Sequence, residues 1–292
     1  MTDYIAFPNL GISINADRVA FSIGGHEIYW YGIIIAFGFA LALIVALNLA
    51  KKYSMKTDTV LDIVLYATPL SIIGARLYYV AFRWESYAQN PIEILKIYNG
   101  GIAIYGAIIT AVLVAVIYCK IKKENLALFC DIGAIALLIG QAVGRWGNFF
   151  NQEAFGTNTN LPWAMTGNLI KDELFSLLSN GADVDPALPV HPTFLYESLW
   201  NVIFVFVFLM LFKRRKFDGE IFCSYLVSYG LGRFFIESFR TDSLYMGPFR
   251  VSQIVAVFSV VLGISLIIYN YRKPVKKLTL AKCEEAEEST SA

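Results

Sequence analysis

Long apolar runs separated by short polar intervals dominate this chain. Seven of them, 28–50, 60–82, 101–119, 126–143, 194–212, 221–237 and 251–271, hold few ionisable side chains. About 20 such residues, at 1.5 Å of helix each, match the roughly 30 Å hydrocarbon core of a bilayer. Lipid offers the backbone no hydrogen-bond partner, so each run is predicted to be a helix. Two shorter patterns lie between them. NLIKDELFSLLSNG places Leu169, Ile170, Leu174, Leu177 and Leu178 on one side of a helix, and NPIEILKIYNGG reads similarly. Either these short helices lie in the outer interface plane or they cap the bundle. The expected fold class is an all-α integral membrane protein: a bundle of seven transmembrane helices with short interfacial helices on the outer face. It is read as a single domain over 1–275, with an outer-face segment, 144–192, between spans four and five. The end, 276–292, is read as a disordered cytoplasmic tail.

Charge sets the orientation. KKYSMK, KIKK, KRRK and RKPVKK follow the first, third, fifth and seventh runs and hold most of the 24 Lys and Arg. The opposite connections carry fewer bases and more Trp, Asn and Gly. By the positive-inside rule the N-terminus is outside and the C-terminus cytoplasmic. Composition agrees: 57% of residues are hydrophobic and 16% charged, with a mean hydropathy of +0.56. That is too little charge to cover a soluble domain of 292 residues. A net charge of +1 gives no footprint for nucleic acid. Four cysteines, Cys119, Cys130, Cys223 and Cys283, show neither a disulfide framework nor metal spacing. With only His26 and His191 as histidines, no metal centre is read. The N-terminus lacks a basic region, so it is not read as a cleaved signal peptide.

Polar groups at membrane depth need a reason. Here they are Arg76, Asp131, Arg145, Glu197, Arg233 and Glu237. All but Asp131 fall toward the outer ends of their runs. Arg233, Glu237 and Arg240, at i, i+4 and i+7, present a carboxylate between two guanidiniums on one helical face. Arg145 and Asn148 share a face if the fourth helix continues through them. Forked, permanently charged guanidiniums at headgroup level suit an anionic lipid headgroup. Each residue also has a plainer role: Arg76 as an interfacial anchor, Asp131 as a packing or capping group, Glu197 as a neutralising partner for an arginine. Tyr29, Trp30, Trp84 and Trp163 read as an aromatic belt. The cysteines map to cytoplasmic run ends and the tail, so thiol chemistry at the outer end would use a substrate's cysteine.

The segment GRWGNFFNQEAFG, 144–156, resembles the signature of the prolipoprotein diacylglyceryl transferases, G-R-x-G/A-N-F-apolar-N-x-E-x-x-G. Gly144, Arg145, Gly147, Asn148, Phe149, Asn151, Glu153 and Gly156 meet its constrained positions, and Phe150 its apolar one. WYG at 30–32, GAR at 74–76, GGIAIYG at 100–106, HPTFLYE at 191–197 and YGLGRFFIESFR at 229–240 extend the resemblance over 1–275. It implies a multi-pass enzyme of the bacterial cytoplasmic membrane, active toward the outer face, needing no cofactor. Such an enzyme moves the diacylglyceryl group of phosphatidylglycerol onto the lipobox cysteine of a preprolipoprotein. The products are a thioether and glycerol 1-phosphate.

On this reading Arg145 and Arg233 hold the phosphate and stabilise the leaving charge. Asn148, Asn151 and Tyr31 bind the headgroup, joined by Arg240 and Arg76. Glu237, with Glu153 as the second candidate, accepts the thiol proton. Gly144, Gly147 and Gly156 permit close approach and a tight turn after the span. Family members commonly carry His where this chain has Tyr105, and a phenol, titrating near about 10, is a poor base at neutral pH. Tyr105 is therefore expected to orient substrate. The rival reading is a transporter or lipid-binding membrane protein, which would show internal repeats and polar groups near the midplane.

Overall fold

A computed structural model describes residues 3–97 and 100–272. The tail at 276–292, with Cys283, lies outside the described residues, as do the end of RKPVKK and two positions of NPIEILKIYNGG. The chain opens on strands β1 (Tyr4–Phe7), β2 (Ile12–Asn15), β3 (Val19–Ile23) and β4 (His26–Tyr29). Helices α1 (Trp30–Lys52), α2 (Thr57–Phe82), α3 (Trp84–Ala88), α4 (Ile104–Lys122) and α5 (Leu126–Asn151) follow. Then come β5 (Thr166–Gly167), α6 (Asn168–Ser179), α7 (Thr193–Leu211), α8 (Glu220–Glu237), β6 (Tyr245–Met246), β7 (Phe249–Arg250) and α9 (Val251–Tyr271).

Among the described residues, six helices are long and apolar enough to cross a membrane: α1, α2, α4, α5, α7 with a 3-10 extension to Arg214, and α9. The remaining long helix, α8, has 18 residues and carries Glu220, Arg233 and Glu237 among them. The helix α5 is longer than the sequence pattern suggests. Its 26 residues reach roughly 39 Å at 1.5 Å per residue, beyond a 30 Å core. Its last two turns, which contain Arg145 and Asn148, therefore project past the apolar run that ends near Val143.

The fold divides into two compact units. Among the described residues, one comprises 3–46 and 131–272, and the other 47–97 and 100–130. In the first, β1 pairs antiparallel with both β2 and β5, with Ile5 opposite Ile14 and Gly167. Behind this sheet lies a cluster of buried Ile5, Phe149, Phe155, Met165, Ile170 and Leu174. Ile170 and Leu174 are the inward face of α6, whereas Phe175 and Leu178 are exposed. Leu178 thus departs from the expected inward side. The helices α8 and α9 pack closely because small residues face each other. A Cβ on Gly230 would stand 2.6 Å from the Ala256 carbonyl, and one on Gly263 would stand 2.7 Å from that of Cys223. Asp131 caps α8, accepting the Gly219 and Phe222 amides at 2.8 and 2.9 Å, with Arg215 3.6 Å away.

In the second unit, residues 91–95 form a 3-10 turn in place of the amphipathic helix expected from NPIEILKIYNGG. Arg76 takes the Glu93 and Ile94 carbonyls, acceptors that a continued helix would use.

Candidate functional site

The polar segment 144–156 begins inside α5. Helical spacing brings Arg145 and Asn148 together, with Arg145 Nη1 donating to Asn148 Oδ1 at 3.4 Å. At Gly147 the ring of Tyr31 approaches the helix closely, and a Cβ there would stand 2.7 Å from it. Tyr31 is thereby fixed beside the motif. The reversal after α5 is not built on glycine, contrary to expectation. Gln152 and Ala154 hold the left-handed conformation, at φ 52° and 56°. Neighbours hold them there. The buried Gln152 side chain accepts the Leu169 amide at 3.1 Å and donates to Asn168 at 3.3 Å, and Thr193 donates to the Ala154 carbonyl. Between them the Glu153 carboxylate accepts Asn148 at 2.8 Å and Asn151 at 3.2 Å.

Gly156 is where three chain segments meet. Its amide donates to His191 O at 2.9 Å and the Thr157 amide to Phe239 O at 2.7 Å. A Cβ on Gly156 would stand 2.8 Å from His191 Cβ and 2.9 Å from Phe239 O. Its role is backbone crossing, which puts Arg240, its bridge partner, beside the motif.

Charge converges on one carboxylate. Glu197, on α7, pairs with Arg145, with Arg233 at 3.4 Å and with Arg240 at 3.6 Å. Arg233 also reaches Glu237 at 2.8 Å, and Glu237 accepts the Ser243 hydroxyl at 2.8 Å. Arg240 grips Asp242 with two bonds, at 2.8 and 2.6 Å. Burial disfavours the Asp242 charge, but that fork more than offsets it and holds the carboxyl below its usual range. His191, packed against Phe239 with its Nδ1 3.0 Å from the Tyr196 hydroxyl, is held below the ordinary imidazole value by burial.

A cavity of about 60 Å³ opens among Gln141, Arg145, Glu197, Asn201, Tyr229 and Arg233. That volume suits a few waters or one phosphate-sized group, far less than a lipid. A second, open groove of about 720 Å³ is lined by Arg18, Tyr29, Tyr31, Ile33, Asn151 and Glu153. The series Arg145, Asn148, Glu153, Asn151 joins the cavity to the groove through consecutive hydrogen bonds. The unit therefore brings together Arg145, Arg233, Glu237 and Arg240 around Glu197, and Tyr31, Asn148, Asn151, Glu153 and Gly156 around the motif turn. Cys223 lies near the start of α8, ten residues before Arg233 and so ~15 Å along the helix.

Sequence reasoning missed Gln141, Asn201 and Tyr229 as cavity wall. The i, i+4 spacing of Gln141–Arg145, Glu197–Asn201 and Tyr229–Arg233 was the available signal. It also treated Glu197 as one arginine's partner. Two expected site residues belong to the Leu47–Cys130 unit. Arg76 is buried and donates to four carbonyls, those of Glu93, Ile94, Gly100 and Gly101, at 2.6 to 2.9 Å. With four N–H bonds given to backbone, its guanidinium organises that segment. Tyr105 is half exposed on the first turn of α4.

Residues 18–269 match the family model described as prolipoprotein diacylglyceryl transferase. A Finegoldia magna protein named phosphatidylglycerol–prolipoprotein diacylglyceryl transferase is 47% identical over 262 residues, covering 89% of this chain and 98% of its own. Proteins of the same name from Listeria innocua, 48% identical over 87% of this chain and 89% of theirs, and from Clostridioides difficile, 41% identical over 88% and 96%, agree. With the motif folded around a charged cavity and matched along most of its length, the chain belongs to the prolipoprotein diacylglyceryl transferase family.

Proposed function

We propose that the protein transfers the diacylglyceryl group of phosphatidylglycerol to the lipobox cysteine of a preprolipoprotein. The observation that carries this reading is the convergence of Arg145, Arg233 and Arg240 on a single carboxylate beside a phosphate-sized cavity. A phosphodiester entering there meets forked donors where charge develops on the leaving group. The thiol sulfur attacks the glyceryl carbon, forming the C–S bond as the C–O bond to phosphate breaks. That oxygen keeps the electron pair and leaves as glycerol 1-phosphate.

The thiol proton goes to Glu153 in preference to Glu237. Glu237 is 1% exposed and engaged by Arg233 and Ser243, whereas Glu153 is exposed and lines the open groove. A general base must reach the proton it takes. Glu237 instead holds the Arg233 fork. Asn148 and Asn151 orient Glu153, Tyr31 walls the groove and Gly156 brings Arg240 in. Tyr105 orients substrate, and Arg76 shapes the segment before α4.

Purified protein in phosphatidylglycerol vesicles is expected to move labelled diacylglyceryl onto a lipobox peptide and not onto its Cys→Ser counterpart. Label on both peptides, or on neither, would refute the reading.

The same reading includes α8 as a seventh span, with the N-terminus and the site outside the cytoplasmic membrane. The carboxylates of Glu197 and Glu237 lower the cost of taking its arginine into the bundle. Single-cysteine labelling of intact cells should reach 157–185 and miss 213–216. The reverse pattern would overturn this placement.

A further inference from the structure

The segment between α8 and α9 carries a feature that the reaction does not use. Here β6 and β7 form a hairpin, with Tyr245 opposite Arg250 and Met246 opposite Phe249, closed by Gly247 at φ 60° and Pro248. Leu244, Tyr245, Met246 and Phe249 are 76, 59, 63 and 64% exposed. No charged side chain lies among residues 244–249. Four large apolar groups on so short a tip are an unusual surface for water.

Position identifies what covers them. The helix α9 starts at Val251, directly after β7. It has 21 residues, and its most apolar 18 have a mean hydropathy of 2.5, with only 11% of them buried in the protein. Its ~31 Å length matches the hydrocarbon thickness, so Val251 stands at a membrane boundary and the hairpin beside it. The exposed tip and the exposed apolar side chains of α9 follow one another directly in the chain. Arg250 and Tyr245 at its base are residue types that anchor in the headgroup layer.

The hairpin is also tied to the charged site at both ends. Before it, Ser243 donates to Glu237 Oε1 at 2.8 Å. After it, Arg250 donates to the Glu237 carbonyl, and its Nε reaches the Tyr245 hydroxyl at 3.1 Å. Gln253, in the first turn of α9, donates to Phe234 O at 3.2 Å and Ser238 Oγ at 3.0 Å. Glu237 in turn holds Arg233.

We propose that the β6–β7 hairpin is a lipid-engaging finger, whose apolar tip seats in the interfacial layer of the bilayer and so positions Glu237 and Arg233. The seating stands on the hairpin and α9 alone; its effect on turnover rests on the function proposed above.

The test places a bimane fluorophore on Met246→Cys in the full chain. The protein is reconstituted into vesicles of phosphatidylcholine and phosphatidylglycerol, and unsubstituted protein labelled in parallel gives the native-cysteine background. Blue-shifted emission, quenched by nitroxide-labelled lipid and protected from iodide, is the expected result. An Asp183→Cys control should show the opposite. Full iodide access at position 246 without lipid quenching would overturn the proposal. So would protection that requires a high protein-to-lipid ratio, which would mean a second copy covers the tip. In transfer assays, Leu244→Ser/Met246→Ser/Phe249→Ser should lose about tenfold in kcat, and Leu244→Ile/Met246→Leu/Phe249→Leu should retain it. Lipid quenching with unchanged serine-variant turnover would remove the positioning role. Lipid quenching in a protein with no transfer activity would leave the finger standing and sink the proposed function instead.

Discussion

Arg145→Lys and Arg233→Lys are each expected to lose roughly thirty-fold to a thousand-fold in transfer rate. A lysine keeps the charge but offers one compact point of contact. Each of these guanidiniums spans two partners: Arg145 bridges Glu197 and Asn148, and Arg233 bridges Glu197 and Glu237. An ammonium can serve one of them and leaves the other displaced. If both forks hold phosphate oxygens as the C–O bond breaks, losing that contact costs on the order of 2–4 kcal/mol. The loss should fall on turnover more than on lipid affinity, because the leaving phosphate gains charge only in the transition state. Arginines that merely anchor the bundle at the interface would tolerate lysine, which snorkels equally well. Rates measured with membrane yield as a folding control separate these outcomes, and near wild-type transfer by both variants would refute the phosphate-binding role.

The second large effect is expected at Glu197. Its side chain is 9% exposed and shared by three guanidiniums that are themselves 24, 18 and 11% exposed. Glu197→Gln keeps the shape and removes the anion. Breaking a buried ion pair by neutralising one member costs about 3–5 kcal/mol, because the surviving charges stay desolvated. The variant should therefore unfold at a temperature several degrees lower in detergent. Inorganic phosphate should restore part of the difference, since an anion that binds only the folded site stabilises it by mass action. Wild-type protein, with Glu197 already in place, should respond less. Equal stability of the two proteins, or equal responses to phosphate, would show that the carboxylate does not stand where an anion binds.

How much of this was legible beforehand differs by element. The long helices were, since lipid leaves an apolar run one backbone solution, and their observed limits lie within a few residues of the expected ones. The extension of α5 to Asn151 was not, because Gly144 and Gly147 looked like punctuation and are packing sites. The N-terminal strands were overlooked. YIAF, ISIN, VAFSI and HEIY are each four or five residues long, too short for alternation to stand out.

At the site, the arginines of α5 and α8 were legible from the cost of burying them. Glu197 as their shared partner was not, because one sequence carries no distances between positions 145, 197, 233 and 240. The partners of Arg76 were hidden for a related reason: its acceptors are backbone carbonyls, which no side-chain pattern reveals. The turn misled, since Gln152 and Ala154 take the conformation usually left to glycine.

The first strand has a consequence for how the protein is made. The Tyr4 amide bonds Asn168 Oδ1, whose amide nitrogen donates to Asp3, across 164 and 165 residues of sequence. Asn168 also receives Gln152, the residue that fixes the turn beneath Glu153. During synthesis β1 can pair with β2 at once, but its contacts with β5 and Asn168 must wait until α1 to α5 have been made. It can close on the turn only once residues 166–168 have followed. Contacts so distant in sequence form late. The turn beneath Glu153 thus gains its last support only when β1 meets residues 166–168.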